Sequence, residues 1–320
     1  MAARTVDVPA LVESARAGSP RAVARLISLV EDGHPALREV MAALAPHSGT
    51  AHVIGITGSP GVGKSTSTNA LVGAFRARGK RIGVLAVDPS SPFSGGALLG
   101  DRVRMQDHAL DPEVYIRSMA SRGHLGGLSW TTPQALRVLD AAGCDVILVE
   151  TVGVGQSEVE IAGLADTTIV LLAPGMGDGI QAAKADILEI GDVFVVNKAD
   201  REGADATVRD IRHMISLGDR TEPGLWRPPV VKTVAAKGEG VDEVMEALDK
   251  HVAWMEETGT LRDRRVRRAG DEIESIALQQ LRAKMGDLRH GNGVDELAAD
   301  VVDGKTDPYA AADQVVAALA

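Results

Sequence analysis

The sequence predicts an α/β fold with a mostly parallel central sheet flanked by helices. Short runs rich in β-branched residues recur through the middle of the chain, and helical patterns separate most of them. These runs are apolar on both faces, which is typical of parallel strands that helices cover on both sides. Both ends of the chain have a helical pattern, so we also expect N- and C-terminal helical extensions.

The predicted strands and helices alternate along the central part of the chain. Strands are expected at 52–57, 81–87, 145–151, 167–173, 192–197 and 229–235. Helices are expected at 64–78, 131–142, 180–190 and 205–217. Two or three short helices are predicted between residues 8 and 46, and the pattern is helical after about residue 240.

Composition restricts the class of protein. The 320 residues include 34 Lys and Arg against 44 Asp and Glu, a net charge of −10 that argues against a nucleic-acid binder. A single cysteine, Cys144, favours a reducing compartment, with the cytosol as the default. The N-terminus reaches Asp7 and Glu13 before any apolar core, and no segment resembles a membrane span, so a cytoplasmic protein is expected.

A glycine-rich segment carries the strongest motif. Residues 58–65 fit G-x-x-x-x-G-K-[ST], and they lie between a predicted strand and a predicted helix. Backbone N–H groups of such a loop surround phosphates, the lysine meets the β- and γ-phosphates, and the serine is a magnesium ligand. We therefore expect a nucleoside triphosphate site formed by Gly58, Ser59, Pro60, Gly61, Val62, Gly63, Lys64, Ser65 and Thr66.

A second motif predicts which base is bound. Asn197, Lys198, Ala199 and Asp200 read NKAD directly after a predicted strand. The Asp200 carboxylate can accept two hydrogen bonds from guanine, and adenine offers no such pair, so the motif predicts GTP rather than ATP. At the end of the next strand, the backbone N–H groups of Ala235 and Ala236 are candidates for the guanine oxygen.

Carboxylates near the predicted γ-phosphate are candidates for magnesium ligands and for catalysis. Glu150 ends a strand and begins Glu-Thr-Val-Gly, which resembles the DxxG switch element with glutamate in place of aspartate, and Gly153 is its glycine. Asp88 ends another strand, and Asp101 follows Gly100. For each aspartate a helix cap or turn is an equal alternative.

Together these segments resemble the ArgK/MeaB family of methylmalonyl-CoA mutase-associated GTPases, in the SIMIBI class of P-loop proteins. The resemblance is carried by GSPGVGKST, VDPSSPFSGGALLGDRVRM, SRGHLGGLS, VETVGVGQSE, PGMGDGIQAAKADILEIGDVFVVNKAD and the DPYAAA tail. It extends over most of the chain and is densest between residues 53 and 200.

The resemblance implies a homodimeric GTPase that acts as a chaperone, gating adenosylcobalamin loading and protection of methylmalonyl-CoA mutase. It implies an N-terminal helical extension (1–50), a P-loop GTPase domain (51–255) and a C-terminal helical dimerisation extension (256–320). Lys64, Asp88, Asp101 and Glu150 are then catalytic, with GTP or GDP and Mg²⁺ as ligands; the metal ligands are Ser65, Asp88, Asp101 and Glu150. The segment 175–184 resembles an element that signals to the partner, with Gly175, Asp178, Gln181 and Lys184 as candidates, although Gly179 stands where an acidic residue is common.

Four questions stay open. An ATP-dependent kinase or ATPase linked to arginine and ornithine transport is the main alternative, and a nickel metallochaperone is disfavoured by the scattered histidines. Arg104 is a candidate positive charge for the phosphates, although a surface ion pair is more common.

The residue after the switch glycine bears on the rate of hydrolysis. Val154 stands where a catalytic glutamine would follow the switch glycine, which predicts slow intrinsic hydrolysis. The arginines between 262 and 268 are expected to lie on a solvated face with local acidic partners, with an acidic protein partner as the alternative.

Overall fold

The structure is a computed structural model that describes residues 6–88, 108, 110–120, 131–151, 157–175, 189–217, 224–285 and 294–317. The contacts divide the chain into two compact units, residues 1–265 and 266–320. The N-terminal helices lie in the first unit together with the sheet. The boundaries predicted at residues 50 and 255 stay predictions.

A seven-stranded sheet forms the centre of the first unit. Its strand order is β3-β2-β4-β1-β5-β6-β7, and every strand pairing among the described residues is parallel. The predicted α/β fold is therefore confirmed, and β1 lies in the middle of the sheet. The strands are β1 His52–Thr57, β2 Ile82–Asp88, β3 Val114–Ala120, β4 Val146–Thr151, β5 Thr167–Leu172, β6 Val193–Val196 and β7 Val230–Lys232.

Helices surround this sheet and form the second unit. Those of the first unit are α1 Val8–Arg16, α2 Pro20–Glu31, α3 Leu37–Leu44, α4 Lys64–Ala77, α5 Thr132–Ala141, α6 Ser157–Leu164, α7 Ala204–Leu217 and α8 Val241–Thr258. Helix α9 (Thr260–Met285) begins in the first unit and continues into the second, which also contains α10 (Val294–Val302) and α11 (Pro308–Ala317). Most of the helix predicted at 180–190 lies outside the described residues. None of the described helices has the length and apolar character of a membrane span.

Strand β3 was not predicted from the sequence. It is an edge strand that pairs only with β2 among the described strands, and Arg117 and Ser118 interrupt its apolar run. Tyr115 and Met119 are buried, whereas Arg117 lies between them and forms ion-pair and hydrogen-bond contacts with Glu31 and Ser28 of α2. The N-terminal helices thus cover this edge of the sheet.

The two faces of the sheet carry different helices because side chains alternate along each strand. On β4, Ile147 and Val149 belong to the hydrophobic cluster that includes α1, α2, α3, α5 and α6. Val146 and Leu148 belong to the cluster on the opposite face, which includes α4 and α8. Glu150 continues the second series, so its side chain lies on the face that α4 covers.

Two arginines of the arginine-rich stretch form ion pairs with the core, so the local pairing expected for them is wrong. Arg264 donates to both carboxylate oxygens of Asp192 at 2.8 Å, and Arg265 donates to Asp166 at 2.9 Å. Both aspartates are buried, and they precede β6 and β5, respectively. Buried carboxylates need a charged partner, and here arginines that are distant in sequence supply it.

Candidate functional site

The predicted phosphate and base motifs meet at one edge of the sheet. In a parallel sheet all strands end at the same edge, and ligands of open α/β folds bind outside that edge. The phosphate loop follows β1 at the centre, Glu150 lies near the end of β4, and Asn197 directly follows β6. The sheet topology therefore brings together residues that are more than 130 positions apart in the chain.

The phosphate loop requires glycine at two positions for steric reasons. Gly58 has a φ of 139°, and a Cβ added there would lie 2.2 Å from the carbonyl oxygen of Leu171 on β5. Gly63 has a φ of 98°, and an added Cβ would lie 2.4 Å from Nδ2 of Asn197. Both conformations are ones that L side chains rarely adopt. The loop is consequently in close contact with the strand beside β1 and with the base motif.

Lys64 is the first residue of α4, and its side chain turns back over the loop. Its Nζ donates to the carbonyl oxygens of Gly58 at 2.5 Å and Ser59 at 3.2 Å. The lysine is buried, so its charge lies within the loop and not in bulk solvent. The N-terminus of α4 adds partial positive charge at the same place. An anion with several oxygens, such as a phosphate chain, is the ligand that this arrangement favours.

Glu150 is connected to α4 by two hydroxyl groups. Ser65 Oγ lies 2.7 Å from Glu150 Oε1, and Thr68 Oγ1 lies 3.0 Å from Glu150 Oε2. All three side chains are buried. The predicted metal ligand Ser65 and the predicted acidic residue Glu150 are thus in direct contact. Their oxygen atoms are of the kind that Mg²⁺ prefers.

Asn197 connects the phosphate loop to the loop after β7. Its Nδ2 donates to the carbonyl oxygen of Val62 at 2.8 Å. Its Oδ1 accepts from the backbone N–H of Ala235 at 3.1 Å and from the hydroxyl of Thr233 at 3.2 Å. Asn197 and these partners are buried, so each polar group depends on the others for its hydrogen bonds.

This bridge adds a second partner for one predicted site residue. The backbone N–H of Ala235 was a candidate donor to the guanine oxygen, but in the structure it donates to Asn197. Ala235 therefore supports the base motif, and the next residue, Ala236, lies in the same short 3₁₀ turn, Ala235–Lys237. The sequence did not distinguish the two because a donor and its acceptor 38 positions away are visible only in the fold.

The other two polar residues of the base motif also contact neighbouring loops. Lys198 has a φ of 57°, and its Nζ donates to the carbonyl oxygen of Gly61 at 2.6 Å. Asp200 is exposed, and Lys237 Nζ lies 3.2 Å from its Oδ2. The hydrogen bond from Lys237 lowers the pKa of Asp200 below its ordinary value. At neutral pH its carboxylate is ionised and can only accept hydrogen bonds.

Several candidates are described only in part or not at all. Asp88 ends β2, beside β4, but its side chain lies outside the described residues. Gly175 follows β5 and is exposed, with a φ of 85°. The remaining candidates lie outside the described residues: Asp101, Arg104, Gly153, Asp178, Gln181 and Lys184.

Similarity to a known protein family agrees with a nucleotide site at this edge of the sheet. The family model described as "Methylmalonyl Co-A mutase-associated GTPase MeaB" matches residues 23–289. This chain belongs to the MeaB family. It is a P-loop GTPase that binds guanine nucleotide, as the phosphate loop and the NKAD motif predicted.

Known proteins match most of the length of this chain. A putative GTPase of Pyrococcus abyssi is 46% identical over 308 residues, covering 96% of this chain and 95% of the relative. A Caenorhabditis elegans protein named methylmalonic aciduria type A homolog, mitochondrial, is 35% identical over 276 residues, covering 81% and 69%. The crystal structure of an LAO/AO transport system kinase has a TM-score of 0.73 and 26% identity, covering 97% of this chain and 96% of the other.

Three polar residues of the site were missed from the sequence. Thr68 contacts Glu150, Thr233 contacts Asn197, and Lys237 pairs with Asp200. A signal existed for Thr68, since it lies three positions after Ser65 and residues at that spacing share a helix face. Thr233 and Lys237 carry no such signal, because their partners follow a different strand.

We predict that Asn197→Ala lowers the free energy of unfolding by about 2 to 3 kcal/mol and weakens GTP binding. The change leaves the Val62 carbonyl and the Ala235 N–H, both buried, without their side-chain partner. Urea unfolding and calorimetry measure the two effects. Asp205→Ala is the control, because it removes only an exposed ion pair with Lys232, the last residue of β7. Equal unfolding midpoints for the two variants would contradict the bridging role.

Proposed function

We propose that this GTPase is a nucleotide-gated chaperone of an adenosylcobalamin-dependent methylmalonyl-CoA mutase. In this proposal the nucleotide state controls cofactor loading and protection of the mutase. The family description, which names a mutase-associated GTPase, supports the choice of partner. The name of the Caenorhabditis elegans relative, which refers to methylmalonic aciduria, is consistent with it.

The observation that carries the proposed nucleotide site is the bridge made by Asn197. Because this side chain joins the phosphate loop to the loop after β7, the parts that would hold the phosphates and the base form one connected structure. A single nucleotide bound across both parts would contact the loop after β1 with its phosphates and the loop after β7 with its base. Gly153 and the segment containing Gly175, Asp178, Gln181 and Lys184 are the proposed elements that respond to the γ-phosphate and reach the partner.

The residues of the phosphate side have separate roles in this proposal. Lys64 binds the β- and γ-phosphates, and the N–H groups from Gly58 to Thr66 surround them. The contact between Ser65 and Glu150 supplies two oxygen donors that fit Mg²⁺, and Asp88 and Asp101 are the further proposed ligands. Bound magnesium would neutralise charge that develops on the phosphate oxygens during hydrolysis. Glu150 and the two aspartates also orient the attacking water.

Guanine recognition is proposed for Asn197, Lys198, Asp200 and Ala236. The ionised Asp200 carboxylate would accept hydrogen bonds from the ring N–H and the exocyclic amine of guanine. Its contact with Lys237 holds it beside the turn that contains Ala236. Lys198, which contacts the phosphate loop at Gly61, connects the two halves of the site from the outside.

We predict a complex between this protein and methylmalonyl-CoA mutase whose stability depends on the bound nucleotide. Mixtures of the two proteins with GDP, with a non-hydrolysable GTP analogue and without nucleotide are compared by sedimentation velocity. The expected result is a difference of about tenfold or more in the dissociation constant between the two nucleotides, as in other coupled two-state systems. Lys64→Ala is the matched control, since it should bind the mutase without distinguishing the nucleotides.

Absence of a complex under all three conditions would contradict the mutase proposal. The alternative, an ATP-dependent kinase linked to arginine and ornithine transport, is supported by the description of the LAO/AO transport system kinase. That alternative requires ATP to compete with GTP for the site and phosphate to reach an acceptor other than water. The nickel metallochaperone alternative, which the sequence disfavours, is not proposed: the described residues contain no group of three His, Cys, Asp or Glu side chains placed to hold a metal ion.

We also propose that the protein is a homodimer formed through its C-terminal helices. In α9, the apolar side chains of Val266, Ile273, Leu278 and Leu281 are each about half exposed or more. Such a series on one helix is typical of a surface that a second copy covers. Sedimentation equilibrium of the free protein should give twice the mass of the chain, and Ile273→Glu should shift it toward the monomer. A monomeric wild-type protein at micromolar concentration would contradict the proposal.

A further inference from the structure

Thr68, which lies outside the sequence motifs, forms a hydrogen bond with Glu150. Its Oγ1 lies 3.0 Å from Glu150 Oε2, while Ser65 Oγ lies 2.7 Å from the other carboxylate oxygen. Thr68 is fully buried, and Glu150 is 2% exposed. Both oxygens of the carboxylate are therefore held by hydroxyls of one helix.

The fold explains why both hydroxyls reach the same carboxylate. Ser65 and Thr68 are three positions apart on α4, so they lie on one face of the helix. Glu150 follows Val146 and Leu148 on the side of β4 that faces α4. A helix face with two hydroxyls thus meets a strand face with one carboxylate at the phosphate edge of the sheet.

A second contact is needed because the side chain is a glutamate. The DxxG element has an aspartate at this position, and glutamate has one more rotatable bond between backbone and carboxylate. One hydrogen bond, from Ser65, fixes one oxygen but leaves rotation about the last bond. The Thr68 hydroxyl fixes the other oxygen, and with it the plane of the carboxylate.

The Thr68 hydroxyl has a single proton and two acceptors at equal distance. Glu150 Oε2 and the backbone carbonyl oxygen of Lys64 both lie 3.0 Å from Oγ1. A carboxylate is the stronger acceptor, since hydrogen bonds to ionised groups are about twice as strong as those between neutral groups. The proton is therefore directed toward Glu150.

We propose that Thr68 is a positioning residue that orients the Glu150 carboxylate next to Ser65 for the magnesium–GTP site. This inference rests on the proposed role of Glu150 and adds a residue that acts through it. Thr68 itself is not expected to touch nucleotide or metal. Its contribution is to hold the carboxylate oxygens where the proposed magnesium ligands need them.

The test measures how strongly Mg²⁺ increases the affinity for GDP. Titration calorimetry with and without Mg²⁺ gives the ratio of dissociation constants, which does not depend on turnover. Thr68→Val keeps the branched shape but removes the hydroxyl, and we expect it to reduce the Mg²⁺ effect about tenfold, as for other groups that orient metal ligands. Thr68→Ser keeps the hydroxyl and should behave like the wild type.

Ser67→Ala is the matched control. Ser67 is a buried neighbour on α4, and its Oγ has no hydrogen-bond partner within the described part of the chain. It lines a small apolar cavity beside Ile169 and Val195, away from Glu150. We expect this variant to keep the wild-type Mg²⁺ effect. Equal Mg²⁺ effects in Thr68→Val and Ser67→Ala would overturn the inference.

A double variant separates positioning from a general loss of stability. In Glu150→Asp the shorter side chain cannot hold both hydroxyls at once, so adding Thr68→Val should reduce the Mg²⁺ effect much less than in the wild type. An additive tenfold loss would show that Thr68 acts independently of Glu150 and would also overturn the inference. If Thr68→Val does not fold, Thr68→Ala takes its place in both comparisons.

The same measurements distinguish this inference from the proposed nucleotide site. If Lys64→Ala abolishes GDP binding and Glu150→Ala removes the Mg²⁺ effect, the site stands, and only Thr68 is in question. If both variants bind GDP and Mg²⁺ like the wild type, the proposed site itself is wrong.

Discussion

The hydrogen bonds of Asn197 hold the candidate site together. One amide group reaches the phosphate loop through Val62 and the loop after β7 through Thr233 and Ala235. Neither loop is part of regular sheet pairing, so its position depends on such contacts. Gly63 has no side chain at the place where Asn197 passes, and this close approach explains why the loop and the base motif require each other.

The sheet supplies the rigid frame on which these contacts depend. Strands β5 and β6 are fixed at their amino ends by Asp166 and Asp192, which pair with Arg265 and Arg264 at the start of α9. Their carboxyl ends lead to Gly175 and to Asn197. Ion pairs of this kind are costly to break from one side, because the remaining charge stays buried. The frame is thus held at one edge by charges and presents ligand-binding loops at the other.

The electrostatic character of the site differs from that of the chain as a whole. The chain carries a net charge of −10, yet the phosphate loop contains the buried Lys64 and the N-terminus of α4. A local positive site in an acidic protein favours a small, highly charged anion over an extended polyanion. Glu150 lies next to this positive site, where a divalent cation would have to compensate its charge as well as that of the phosphates.

Much of the fold and of the site could be predicted from the sequence, for identifiable physical reasons. Six of the seven strands correspond to the mainly apolar runs from which strands were predicted, and the phosphate loop and Asn197 belong to motifs whose spacing follows from their chemistry. Strand β3 was missed because Arg117 and Ser118 interrupt its apolar run, and the partners of Arg117 lie on α2, far away in sequence. Arg264 and Arg265 were misjudged, and the contact between Ala235 and Asn197 was not foreseen, because in each case the partner is distant in sequence and comes into contact only after the sheet has formed. Thr68 could be predicted only in part. Helix spacing places it on the same face as Ser65, but its contact with Glu150 depends on how α4 packs against β4.

The most direct test of the account is the nucleotide preference of Asp200→Asn, measured by calorimetry with GTP and xanthosine triphosphate. Xanthine carries an oxygen where guanine has its exocyclic amine, so an amide at position 200 should suit it better than a carboxylate. The account predicts that the variant loses most of its affinity for GTP and binds xanthosine triphosphate more tightly, whereas the control Asp205→Asn keeps the wild-type preference. An unchanged preference for GTP in Asp200→Asn would contradict the assignment of this edge of the sheet as a guanine nucleotide site.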